Sequence, residues 1–216
     1  MTVCDHSLSG GIRDKPFNKE EHIDFIVYPL FFKIKLKDAR SGRVILLAHC
    51  LLNQNSVVMG LAKRKGAVEE VLQILLKEGV GIIQLPCPET SYFGLRRFWA
   101  VREQLNNPGF NEYCKRLSQK IRNIVSEYLR NDYDVIGVIG IKGSPSCGVT
   151  ESGSSEDWIG PPNKAGEYVR VKKPGIFMEK LTESLKALPF IEWDWRNTES
   201  SISKVKELIN RSKAEK

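Results

Sequence analysis

"RVILLAHC", residues 43–50, decides the fold. It is an unbroken apolar run rather than an alternation of apolar and polar residues. A strand of that kind is buried on both faces, as in a parallel sheet with helices packed on either side. Outward from it the same grammar repeats. "GAVEEVLQILLKEG" (66–79) places Val68, Val71, Leu72, Leu75 and Leu76 at helical spacing and stops at Gly79. "VGIIQLPCPE" (80–89) predicts a second buried strand, cut off by Pro86 and Pro88. "GFNEYCKRLSQKIRNIVSEYLRN" (109–131) is a second amphipathic helix, and "DVIGVIGIKG" (134–143) a third strand. Beyond them come a helix over 175–188, a short strand over 189–195 and a C-terminal helix over 201–213.

The order β-α-β-α-β predicts an α/β fold: one Rossmann-like domain, a parallel sheet flanked by helices with right-handed crossovers. Residues 1–40 show no sustained period and read as a short N-terminal extension, leaving 41–216 for the domain. Residues 149–173, rich in Gly, Ser, Pro and charge, are long for a connection and are expected to act as a lid loop.

Composition narrows the classes. With 41% hydrophobic residues, 216 residues suffice for one full core. No apolar run reaches the roughly 18 residues of a membrane span. The start of the chain lacks the basic, apolar and small-residue pattern of a secretory signal, so a cytoplasmic location is expected. The net charge of +7 reads as a solvated surface, with an anionic partner such as RNA or a nucleotide as the sharper alternative. Five cysteines with no C-x-x-C pair argue against a disulfide framework, a zinc ribbon and a thioredoxin-type site.

Where the cysteines fall is more telling. Cys50 ends the first strand, Cys87 the second, and Cys147 follows the third after a short turn. Ligands of open parallel sheets sit at the carboxyl edge of the strands, so three thiols should converge there. Plain core packing explains Cys114, spaced with Leu117 and Ile121 on a helix, and Cys4 has no assigned role. It explains poorly three thiols that each leave a strand beside Pro or Gly. Zinc prefers a fourth ligand, and His49 is expected on the opposite face of the strand from Cys50. A Cys-His pair has only His6, His22 and His49 to draw on. A [4Fe–4S] cluster suits three cysteines, because one iron then has no protein ligand and can act as a Lewis acid.

The neighbours supply candidates. Glu89, two residues past Cys87 and behind Pro88, can serve as a general base, or simply as an acid in the first turn of a helix. Ser144 and Ser146 flank Pro145; either they make a turn or their hydroxyls serve the site. Gly143 and Gly148 permit close backbone approach. Asn53 and Asn55 are base-edge readers or turn residues. "SYFGLRRFWAV" (91–101) offers Tyr92, Phe93, Arg96, Arg97, Phe98 and Trp99 for stacking on a base, or for packing a helix on the sheet.

Three motifs, "CLLNQNSVVMG" (50–60), "QLPCPETSYFGLRR" (84–97) and "GIKGSPSCGV" (140–149), occur in order at compatible separations. Together they resemble the thiouracil desulfurase family, formerly a domain of unknown function, with its branch of related desulfidases the nearest likeness. The resemblance extends from about Arg43 to Trp195. It implies a [4Fe–4S] cluster bound by Cys50, Cys87 and Cys147, and non-redox removal of sulfur from a thiolated nucleobase or similar thioamide. It implies a small thiolated substrate, or a thiolated base carried in RNA. Glu89 and Ser144 are then the candidate catalytic residues. Better-studied members commonly carry another cysteine a few residues after the first, where this chain has Asn53, Gln54, Asn55 and Ser56. The reading from a different class is a cluster-bearing sulfide or sulfur carrier, or a sensor.

Overall fold

The structure, a computed structural model, describes residues 38–158 and 167–214. The element order is β1 (Arg43–Leu47), α1 (His49–Leu52), a 3-10 turn (Gln54–Ser56), α2 (Glu69–Lys77), β2 (Gly81–Gln84), α3 (Pro88–Phe93), α4 (Arg102–Leu105), α5 (Pro108–Arg130), β3 (Asp134–Ile141), β4 (Ser152–Ser154), β5 (Val169–Val171), α6 (Ile176–Ser184), β6 (Phe190–Trp193) and α7 (Thr198–Ala214). Four strands form a parallel sheet in the order β2-β1-β3-β6. This is the expected α/β architecture.

Alternation of side chains across the pleat explains the unbroken apolar run in β1. Val44 and Leu46 enter one core with α5 and α6, while Ile45 and Leu47 enter the other with α2 and α7. In β3, Val135 and Val138 belong to the first core, and Ile136, Ile139 and Ile141 to the second. The parity slips once, at Gly137, where the register with β1 also shifts. One extra residue there is a β-bulge, and a side chain at Gly137 would meet the Pro189 carbonyl at 2.6 Å. The helices follow suit. Phe110, Cys114, Leu117, Ile121 and Val125 form the buried stripe of α5, capped by the Asn107 side chain accepting from the Phe110 N–H at 3.0 Å. In α2, Val71 and Leu75 are buried while Leu76, expected on the same face, is 73% exposed. Among the described residues, no helix is long and apolar enough to cross a membrane.

Two strands lie where the sequence suggested only loop. β4 and β5 pair antiparallel inside 149–173. Small residues make this possible: Gly153 leaves room for Tyr168, whose hydroxyl a Cβ would meet at 2.1 Å and whose ring at 2.5 Å. Trp158 is buried and its ring N–H donates to the Trp99 carbonyl at 3.1 Å. The expected lid also includes residues 159–166, and the N-terminal extension residues 1–37; both lie outside the described residues.

Candidate active site

The sheet order steps outward from β1 to β2 on one side and to β3 on the other. The carboxyl ends of these three strands therefore flank the point where the winding reverses, the usual ligand crevice of such sheets. β1 stops at Leu47, and the chain turns at once into α1. Cys50 therefore sits in a helical turn, not at the end of a strand, and His49 is not placed by strand alternation. His49 Nδ1 instead meets Gln84 Nε2 at 2.5 Å, at the end of β2. Behind Cys50 lies Gln54, 2% exposed, which the sequence reading passed over. Its amide donates to the Cys50 carbonyl at 2.5 Å and accepts from the Lys63 and Arg64 N–H groups at 2.8 and 3.3 Å. The NQN run reads as a turn, and nothing local announces that its middle residue binds backbone on both sides.

Cys87 is the N-cap of α3, with Pro88 in the first turn. Its sulfur accepts from the Thr90 N–H at 3.3 Å. Cys147 closes the turn after β3: its carbonyl accepts from the Ile141 N–H at 2.9 Å, and its own N–H donates to Ser144 Oγ at 3.0 Å. The backbone folds so tightly that a Cβ on Gly148 would lie 2.1 Å from the Glu151 carbonyl oxygen and 2.8 Å from that of Ser144. Neither is a flexible side-chain end. Gly148→Ala is expected to lower stability by about 1–3 kcal/mol, the usual cost of overpacking, as measured by denaturant unfolding.

Burial first, and then the neighbouring Cys87 and Glu89, push the Cys50 thiol up to about 12 against the opposing Arg97. Burial holds the Cys147 thiol well above its ordinary value, with Cys50, Cys87 and Glu89 adding to it and the Ser146 hydroxyl opposing. The Ser146 hydroxyl links the Cys147 sulfur to Glu89, two residues past Cys87, and all three thiols are free of disulfides. Cys114 is fully buried on α5, as expected of a core residue, its thiol lifted to about 12 by burial first and then by Glu89, against Lys180. Cys4 lies outside the described residues.

Glu89 anchors the polar side. One carboxylate oxygen accepts from Ser146 Oγ at 2.5 Å, the other from Arg97 Nε at 3.1 Å. Arg97 also donates to the carbonyls of Ser56 at 2.7 Å and Gly94 at 3.2 Å. Its side chain is only 7% exposed, so Arg97 is a buried partner of Glu89 rather than a stacking surface for a base. Removing one member of a buried pair leaves the other uncompensated, so Arg97→Met is expected to cost about 3–5 kcal/mol in denaturant unfolding. Adding Glu89→Gln to that variant should return part of the loss.

Ser144, the second candidate, lies one step back. Its oxygen caps the Cys147 N–H and stands 3.3 Å from Ser146 Oγ, so Ser146 is the hydroxyl that touches both Glu89 and, at 3.4 Å, the Cys147 sulfur. Asn53 accepts from both the backbone and side-chain N–H groups of Asn55, each at 3.1 Å. Tyr92 and Phe93 pack edge-on to each other, and both rings contact Phe110. Arg96 and Phe98 are exposed. Trp99 is held by its ring N–H on the Met59 carbonyl at 2.6 Å.

The donor set is sulfur throughout. Among the described residues, no three His, Cys, Asp or Glu side chains are placed to hold a single metal ion. Three sulfur donors on separate segments, not gathered on one point, would fit a cluster better than a single ion. The Thr90 N–H donates to the Cys87 sulfur, and the Ser146 hydroxyl lies within reach of the Cys147 sulfur.

A family model described as "Putative 2-thiouracil desulfurase" matches residues 42–171. The chain is 43% identical over 110 residues to the uncharacterized protein MJ0003 of Methanocaldococcus jannaschii, an alignment covering 51% of this chain and 70% of that protein. No solved structure matches. The family match covers more than half of the chain, including Cys50, Cys87, Cys147 and Glu89, and the chain belongs to that family.

Proposed function

We propose that the protein is an iron–sulfur-cluster-dependent desulfidase, removing sulfur from a thiolated nucleobase or related thioamide without net redox change. Cys50, Cys87 and Cys147 hold a [4Fe–4S] cluster in this reading. The observation that carries it is the hydrogen-bonded chain at the carboxyl edge of the sheet, in which the Ser146 hydroxyl lies between the Cys147 sulfur and Glu89, two residues past Cys87. When bound, the cluster supplies an iron without a protein ligand, a Lewis acid toward the sulfur of a thiocarbonyl.

The remaining chemistry falls to this chain's side chains. The overall change is thiocarbonyl plus water to carbonyl plus hydrogen sulfide, so no electron acceptor is needed. Water is a weak nucleophile at neutral pH, and Glu89 is the carboxylate at the thiols that can take its proton. Arg97 fixes Glu89 through Oε2 and directs Oε1 toward Ser146. The Ser146 hydroxyl has one hydrogen and two acceptors within reach, Glu89 at 2.5 Å and the Cys147 sulfur at 3.4 Å. The nearer, charged oxygen holds it. Once Glu89 has taken up a proton, that hydrogen is free to swing toward sulfur. Ser144, 3.3 Å behind, extends the same hydroxyl chain.

The test is protein loaded with iron and sulfide without oxygen, then given 2-thiouracil. Uracil and hydrosulfide should form in equal amounts over many turnovers. Fully loaded protein that converts neither 2-thiouracil nor another thiolated base would overturn the reading.

A further inference from the structure

Cys147 is buried, while Cys50 and Cys87 are half-buried, so its placement depends most on what grips the turn around it. Two elements do so. At the start of α6, the N–H groups of Ile176 and Phe177 donate to the carbonyls of Pro145 and Ser146 at 3.0 Å each, and that of Met178 to Ser146 at 3.1 Å. Gly175 comes so close that a Cβ would lie 2.4 Å from the Ser146 carbonyl carbon. On the other side stands Glu192, on β6, in register with Gly140 of β3. It is 8% exposed. Its Oε2 accepts from the Val149 and Thr150 N–H groups at 3.0 and 3.1 Å, and its Oε1 from the Thr150 hydroxyl at 2.6 Å.

A carboxylate buried against neutral donors is costly unless it is well satisfied, and here three donors come from the two residues just past Cys147-Gly148. We infer that Glu192 is a positioning residue: it clamps the chain leaving Cys147 and thereby fixes the direction of that thiol. α6 and β6 both lie beyond residues 42–171, so the third cysteine is held in place by a part of the chain outside the family match. Only the consequence for the cluster rests on the function proposed above. The clamp itself is legible in protein without a cluster.

The test therefore starts with apoprotein, comparing alkylation rates of Cys147 and Cys50 by iodoacetamide and mass spectrometry. Glu192→Ala strands two backbone N–H groups, and the loss of buried hydrogen bonds should raise local opening, hence Cys147 alkylation, by about tenfold or more with Cys50 little changed. Glu192→Gln should behave like the parent, because its oxygen can accept from both N–H groups while its NH₂ donates to the Thr150 hydroxyl. Val205→Ala, in the opposite core on α7, is the control for general destabilisation. In loaded protein, the Ala variant should also surrender iron to a chelator faster, and the Gln variant should not. Unchanged Cys147 alkylation in a folded Glu192→Ala protein overturns the inference, as does an equal rise in Val205→Ala or loss of protection in Glu192→Gln. If Glu192→Ala does not fold, Thr150→Val, which deletes one of the three bonds, must still raise Cys147 alkylation, and no rise would overturn the clamp. Parent protein that takes up no iron and sulfide would count against the proposed function alone, since alkylation decides the clamp without a cluster.

Discussion

Replacing Cys50, Cys87 or Cys147 with alanine, one at a time, is expected to reduce bound iron and sulfide to near zero in protein purified without oxygen. Cys114→Ala should keep the full complement. The contrast follows from where the sulfurs lie. Cys114 is packed with Phe110, Leu117 and Ile121 in the α5 core, whereas the other three lie in the segments that follow β1, β2 and β3 at the carboxyl edge of the sheet. With two thiolates left, a cluster loses a ligand, and among the described residues His49 is engaged with Gln84 and Glu89 with Arg97 and Ser146. The Cys50 and Cys147 thiols, raised by burial, enter as neutral groups, so loading must release their protons. Iron and sulfide analysis with an absorption spectrum checks the result. Retention of a full cluster by any of the three single variants would remove that residue from the ligand set.

How far the sequence reached depends on whether a feature is local or assembled. β1 and β3 were legible because burial on both faces leaves no alternation in 43–47 and 134–141, and α5 because its stripe recurs from Phe110 to Val125. β2, expected to be buried, lies at the sheet edge with only Ile83 buried. That the segments carrying Cys50, Cys87 and Cys147 leave the sheet at one edge was legible because parallel topology sends three strand exits there. What failed was the atomic-scale reading at those exits. A single helical turn after Leu47 displaces Cys50 from the strand end, and no propensity signal marks a four-residue turn. Arg97 looked like a stacking residue because its neighbours are aromatic. Its burial against Glu89 depends on the Ser56 carbonyl, brought in from the loop after α1. Gln54 and Glu192 escaped for one physical reason: each is a buried polar side chain satisfied mainly by backbone groups, and backbone partners leave no pattern in the residue types of the sequence. β4 and β5 were hidden by their composition, since Ser-Gly-Ser reads as loop until Glu103 accepts from the Ser154 hydroxyl and the Ser155 N–H.

Glu89→Gln is expected to keep a full cluster and to bind the thiolated base, yet to release hydrosulfide at least about 10²-fold more slowly, the lower end of what a positioned general base contributes. The substitution preserves size and can still accept from Arg97 through its amide oxygen, so α3 and the turn after β3 should stay in place. What it removes is proton affinity at the atom that faces Ser146. Stability and chemistry must be separated here, because Glu89 also neutralises a buried guanidinium and the amide does so less well. Denaturant unfolding measures the first effect. Single-turnover hydrosulfide release, at a temperature where the variant is fully folded and its iron content equals the parent's, measures the second. Ser146→Ala provides the comparison: it deletes the hydroxyl between Glu89 and Cys147 while leaving the carboxylate, so its rate should fall less than that of Glu89→Gln. Equal rates in Glu89→Gln and the parent would move the base away from Glu89. A sulfide carrier or sensor has no water to activate, so loaded parent protein that binds hydrosulfide but never turns over a thiolated base would assign the cluster to carriage instead of hydrolysis.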